Sequence, residues 1–134
     1  MANDFFKYLS GNENEIDLVL PVPIHRKKKR KRGYNQAELI AKGIVGQLGV
    51  DMVTDVLVSQ KGKRSQTGIG RYGRWLNVGS VFGLRYEHKL KGKHVLVVDD
   101  VVTTGATLLR CIDLLKEIEG IRISVYTLAF ADRL

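Results

Sequence analysis

The chain has 134 residues, 44% of them apolar, which suits one domain with a real core and excludes an intrinsically disordered protein. A single cysteine, Cys111, excludes an intramolecular disulfide framework and any zinc site built on several thiolates. Lys plus Arg is 22 against 14 for Asp plus Glu, a net +8, but seven of those cations form the unbroken run Arg26 to Arg32. Without that run 15 cations face 14 acids, so the excess charge is one short segment on a nearly neutral body, aimed at something anionic. No apolar run of about 18 residues is available for a membrane span. Met1 to Leu9 carries Asp4 and Lys7 and has no apolar signal-peptide core, so a reducing cytoplasm is the expected location.

Residues 1–15 are polar and are read as a short helix or tail leading into a loop, and residues 16–134 as the domain. Ile16 to Val22 predicts a first, buried strand ended by Pro21 and Pro23. The basic run follows as the loop at its carboxyl end. Gly33 to Gly49 predicts an amphipathic helix, with Ala37, Ile40, Ala41, Ile44, Val45 and Leu48 at the 3.6 period. Asn35 and Glu38 resemble a capping box, and Gly49 supplies the stop. Met52 to Val58 is a predicted strand. Gln60 to Gly73 is a long, mobile loop, Arg74 to Asn77 a helical turn, Val78 to Leu84 a strand, and Tyr86 to Lys93 a charged connection. His94 to Val98 has the apolar run of a strand buried on both faces and is expected to stop at Asp99-Asp100. A loop from Val101 to Gly105 leads to a helix over about 106–119, ended by Gly120, and Ile121 to Phe130 is the last strand. Strands alternating with helices predict an α/β domain: a Rossmann-like, mostly parallel sheet flanked by helices.

The chemistry concentrates in Val95 to Thr107. A buried strand ends, and two carboxylates appear at the edge where open α/β sheets bind ligands. Thr103, Thr104, Gly105, Ala106 and Thr107 then open a helix, whose first amides and dipole favour an anion. Hydroxyl donors on small residues suit a phosphate monoester, and the nearby acids suit sugar hydroxyls. Any one of these residues is commonly a solvated loop or capping residue. The whole string answers the separate demands of one ligand, a sugar phosphate.

This string closely resembles the PRPP-binding motif of type I phosphoribosyltransferases (PRPP is 5-phosphoribosyl 1-pyrophosphate). Two further blocks resemble the competence-associated ComF/GntX branch of that family: Pro21 to His25, the basic run and Arg32 to Gln36; then Gln66-Thr67, Arg74, Asn77-Val78 and Phe82. The resemblance spans residues 16–131. It implies a type I phosphoribosyltransferase fold and Mg²⁺-dependent transfer of a 5-phosphoribosyl group from PRPP to a nitrogen acceptor, with release of pyrophosphate. In that reading Asp99 and Asp100 hold the ribose hydroxyls, and Thr103, Thr104, Gly105, Ala106 and Thr107 hold the 5-phosphate. Ile24, His25 and Arg26 form the pyrophosphate loop, and Lys63 and Arg64 belong to a mobile hood. Mg²⁺ is carried mainly by PRPP oxygens, without dedicated protein ligands. Homodimers are common in the resembling family. The branch is linked to handling of incoming DNA. The alternative is therefore a non-catalytic protein of the same fold that binds single-stranded DNA through Arg26, Lys27, Lys28, Lys29, Arg30, Lys31 and Arg32.

Other features are discounted. Gly68 to Gly73 matches G-x-G-x-x-G but neither follows a strong strand nor opens a long apolar helix. His25, His88 and His94 lack metal-ligand spacing and are expected at the surface or in loops. Cys111 is expected as a packed core thiol. Trp75 is expected to pack.

Overall fold

The computed structural model describes residues 15–24, 26–61 and 80–131. Its elements run β1 (Leu18–Pro21), α1 (Arg26–Arg32), α2 (Gln36–Leu48), β2 (Asp51–Met52), β3 (Leu57–Lys61), β4 (Ser80–Leu84), a 3-10 turn (Glu87–Lys89), β5 (His94–Val102), α3 (Ala106–Leu115) and β6 (Arg122–Phe130). Four strands form one sheet in the order β2-β1-β5-β6, every pair parallel. Strands β3 and β4 form a separate antiparallel pair.

The pleat explains why β5 has no polar face. Its side chains alternate between two cores. Val95 and Val97 join Leu20, the hairpin residues Leu57, Phe82 and Leu84, and Cys111, Leu114 and Leu115 of α3. Leu96 and Val98 join Val19 with Ala41 and Ile44 of α2. The topology demands this split. From β1 the chain steps to β2 on one side, and from β5 to β6 on the other. Right-handed crossovers in opposite directions put α2 and α3 on opposite faces.

Four predicted elements are corrected. The basic run is a helix, α1, and not a loop. Lys and Arg are good helix formers, and the last-turn cations Lys29 to Arg32 meet the negative end of the helix dipole. Gly33, at φ +80°, ends α1 and donates its N–H to the Lys29 carbonyl at 2.7 Å. The single strand expected over Met52 to Val58 is two. Its first residues extend the main sheet beside β1, and Leu57 onward pairs with β4. Strand β5 does not stop at Asp99-Asp100 but stays paired to β6 as far as Val102, opposite Phe130. The β-branched Val101 and Val102 were the signal for the longer strand. Helix α3 ends at Leu115 rather than 119, its last turn closing as Ile118 donates to the Leu115 carbonyl at 3.0 Å.

His94 is also corrected: it is buried, 5% exposed, at the amino end of the sheet. Its ring Nδ1 lies 3.1 Å from the Glu15 carbonyl, which only accepts, so Nδ1 carries the proton. Nε2, 2.7 Å from Ser124 Oγ, therefore accepts from that hydroxyl. The backbone N–H of His94 donates to the Asp17 carboxylate at 2.8 Å. The histidine braces β1, β5 and β6 on the edge opposite the acid pair. Among the described residues, no helix is long and apolar enough to cross a membrane.

Candidate functional site

The sheet order reverses between β1 and β5, and the crevice outside their carboxyl ends is where open α/β sheets place ligands. Register fixes what meets there. Pro21 pairs with Val98, and Val22 donates its N–H to the Val98 carbonyl at 2.8 Å. The segment Val22 to Ile24 therefore leaves the sheet beside Asp99 and Asp100. The ends of β1 and β5 are thus brought together from residues nearly eighty apart in the chain.

Because β5 continues, the two acids sit within a strand, and the pleat sends them to opposite faces. Asp99 shares the face of Val95 and Val97, and its charge is felt by the buried Cys111 thiol of α3. Burial pushes the Asp99 carboxyl up from 3.8 to about 6, the neighbouring Asp100 carboxylate adds to the rise, and the Asp100 N–H, donating at 2.9 Å, opposes it. Asp100 is fixed from the other side of the ladder, where the Thr127 hydroxyl donates to its carbonyl at 3.1 Å. Burial first, and the Asp99 charge second, push Cys111 up to about 12, which makes it the packed thiol expected and no nucleophile.

Thr103, Thr104, Ala106 and Thr107 are exposed around the amino end of α3. Gly105 occupies the N-cap at φ +79°, with no side chain to cap the helix, and the Thr104 hydroxyl accepts from the Ala106 N–H at 3.3 Å. The next first-turn amides lack intrahelical partners by construction and face the loop. This is a ready anion cradle one turn from the acids. A Cβ on Gly105 would find room, its nearest neighbour being Val102 Cγ1 at 3.9 Å, so the backbone alone requires glycine. Gly105→Ala is expected to cost about 1 kcal/mol through the left-handed strain. The melting temperature should fall only by the few degrees this strain costs, because the loop shifts while the core does not. Thermal melts on the variant check this.

Asn35 was legible only as a helix cap. It is buried, and its side chain works in two directions. Its Oδ1 accepts from the Ala37 N–H at 3.1 Å, capping α2, and its Nδ2 donates to the Val22 carbonyl at 3.1 Å. The second bond ties the segment leaving β1 to the start of α2. Nothing in the spacing of residues 22 and 35 signalled it.

Of the predicted site residues, the structure brings Ile24, Asp99, Asp100 and Thr103 to Thr107 to one edge. Lys29, Arg30, Lys31 and Arg32 are exposed on α1, and Arg26, Lys27 and Lys28 lie on the same helix. His25, Lys63 and Arg64 lie outside the described residues, as do Gln66-Thr67, Gly68 to Gly73, Arg74, Trp75 and Asn77-Val78.

The sequence matches the phosphoribosyl transferase domain family over residues 12–133. It is 30% identical over 116 residues to competence protein F of Haemophilus influenzae, covering 86% of this chain and 51% of that protein. It is 27% identical over 112 residues to the DNA utilization protein YhgH of Escherichia coli K12, covering 84% of this chain and 48% of that one. The chain thus spans about half the length of these curated relatives. Its fold superposes with a TM-score of 0.60 on adenine phosphoribosyl transferase from Trypanosoma brucei, solved in complex with AMP, pyrophosphate and ribose-5-phosphate. That likeness covers 95% of this chain and 49% of the other at 18% identity, and it speaks for the fold alone. Matching that family along nearly its whole length, and built on the same sheet, the chain belongs to the phosphoribosyl transferase domain family.

Proposed function

We propose that residues 16–134 form a PRPP-binding domain that transfers the 5-phosphoribosyl group to a nitrogen acceptor. The observation that carries this reading is the acid pair in the last part of β5, placed between an anion cradle at α3 and the end of β1. Asp99 and Asp100 accept hydrogen bonds from the ribose hydroxyls. Thr103, Thr104, Gly105, Ala106 and Thr107 receive the 5-phosphate through hydroxyls and first-turn amides. Ile24, His25 and Arg26 are assigned to the pyrophosphate, and Lys63 and Arg64 to a hood that would shield the reacting carbon from water.

The reaction is displacement at the anomeric carbon. The nitrogen lone pair forms the new C–N bond, the C–O bond to pyrophosphate breaks, and the electron pair leaves with pyrophosphate. The acceptor's proton passes to solvent or to a nearby base. The sugar becomes cation-like on the way, so the protein's task is to place charge and exclude water. A magnesium ion fits this site as an oxygen-ligand cation: when bound, it neutralises pyrophosphate charge, with Asp99 and Asp100 the protein carboxylates at hand. Among the described residues no three His, Cys, Asp or Glu side chains gather into a site of their own. Calorimetric titration of PRPP with and without Mg²⁺ tests the reading. Mg²⁺-dependent micromolar binding is the expected result, and no heat from folded protein would sink it.

The second reading is single-stranded DNA binding through α1. Its support is the density of charge, seven cations on two helical turns, with Lys29 to Arg32 exposed. The names competence protein F and DNA utilization protein point the same way for the relatives. Replacing Lys27 to Arg32 by serine, and keeping Arg26, is expected to weaken oligonucleotide binding by at least about 100-fold at low salt and to flatten its salt dependence. PRPP binding should fall far less. Fluorescence anisotropy over a salt series measures it, and an unchanged DNA affinity would remove the mechanism.

A further inference from the structure

We propose that the protein has a second small-molecule site, for a free amino acid or a zwitterion of that size, between α1 and α2. A cavity of about 170 Å³ opens there, lined by Pro21, Pro23, Ile24 and Leu57 and by the polar side chains of Lys29, Asn35, Glu38 and Thr54. It lies at the carboxyl edge of the sheet, on the β2 side of β1, away from the phosphate cradle on α3.

The charges define the ligand. Between Asp17 and Asp51 the sequence has one acid, Glu38, among eight Lys and Arg residues. Glu38 is half-buried in the first turn of α2, and it faces the cavity together with Lys29 of α1. The two are not paired with each other, and among the described residues neither has another ionic partner. A ligand with one charge would answer only one of the two groups, the half-buried Glu38 or the exposed Lys29. A zwitterion satisfies both, its ammonium on Glu38 and its carboxylate on Lys29. The Thr54 hydroxyl offers a further hydrogen bond. Asn35 is already spent on Val22 and Ala37 and serves as wall.

Size narrows the class. A void of about 150 Å³ holds one benzene ring, and ordinary drug or cofactor pockets start near about 300 Å³. A nucleotide is therefore too large, and an amino acid with a small or medium apolar side chain fits against the two prolines, Ile24 and Leu57.

Saturation-transfer NMR on the full chain tests this, with each common amino acid at about 1 mM, enough to detect millimolar affinity. Acetate and methylammonium serve as half-ligands and uracil as a neutral ring. At least one amino acid is expected to bind, and the half-ligands and uracil are not. Lys29→Met and Glu38→Gln should each weaken binding at least about tenfold without changing the circular dichroism. The exchange Lys29→Glu with Glu38→Lys should restore part of the loss, because the ligand can reverse. Silence from every amino acid on folded protein, equal or better binding of uracil, or indifference to both single substitutions would overturn the proposal. Ile24 borders both sites, so PRPP binding is read in a separate titration on Lys29→Met and Glu38→Gln, which lie outside the residues assigned to PRPP and should leave its affinity unchanged.

Discussion

Replacing Asp99 and Asp100 together by asparagine is expected to lower PRPP affinity by at least about 100-fold and to leave the fold intact. In the proposed function each carboxylate accepts charge-assisted hydrogen bonds from sugar hydroxyls. Losing two such bonds costs enough for that factor. The fold survives because burial already disfavours the Asp99 charge, holding its carboxyl at about 6 instead of 3.8. The native state therefore binds that proton more tightly than the unfolded chain does. Its contribution to stability is fully present below about pH 3.8 and is lost as the pH rises through 6.

The single variant Asp99→Asn fixes the neutral form. At pH 7.5 it should be more stable than the natural chain by about 1–2 kcal/mol, the shift converted and discounted for solvent at a half-buried group. Near pH 4 the difference should vanish. Melting curves at the two pH values give the result. A variant that melts lower at pH 7.5 would mean that the buried charge is well compensated. PRPP affinity of the natural chain should also fall below pH 6, as Asp99 takes up its proton and loses capacity as an acceptor.

Asn35→Ala is the second large effect, an expected loss of about 2–4 kcal/mol. The helix cap accounts for about 1 kcal/mol. The rest comes from the Val22 carbonyl, which Asn35 Nδ2 serves at 3.1 Å from a buried position; an orphaned buried acceptor costs about 1–3 kcal/mol. Asn35→Ser separates the two parts, because serine caps a helix but is too short to reach Val22. Its loss should be smaller than that of alanine by about 1 kcal/mol, the share of the cap. Urea denaturation of the three proteins measures both steps. PRPP affinity should fall with the loss of the Val22 bond, since that bond holds the segment beside the acid pair.

Much of the site was legible because its parts are local. The phosphate cradle needs a strand, a glycine and a helix start in that order, and residues 95–107 contain all three in sequence. Apolar periodicity similarly announced α2, and the unbroken run Val95 to Val98 announced a doubly covered strand. The errors arose where a local signal was overruled by partners. Asp99 and Asp100 look like strand breakers, yet β6 carries the pairing past them, with Thr127 opposite Asp99 and Ala129 opposite Val101. Residues 52–58 have the composition of one strand, but β1 takes the first of them and β4 the last.

The sequence by itself determined the fold class, the family and the order of the chemical groups along the chain. Those depend on composition, period and motif, which short-range sterics and burial translate directly into elements. The tertiary structure alone decided that the two acids lie on opposite faces of a continuing strand, that Asn35 joins the ends of β1 and α2, and that Lys29 and Glu38 face one cavity unpaired. Each of these is a relation between segments distant in the chain or a consequence of register. Register is set by the packing of whole elements, so no local pattern carries it.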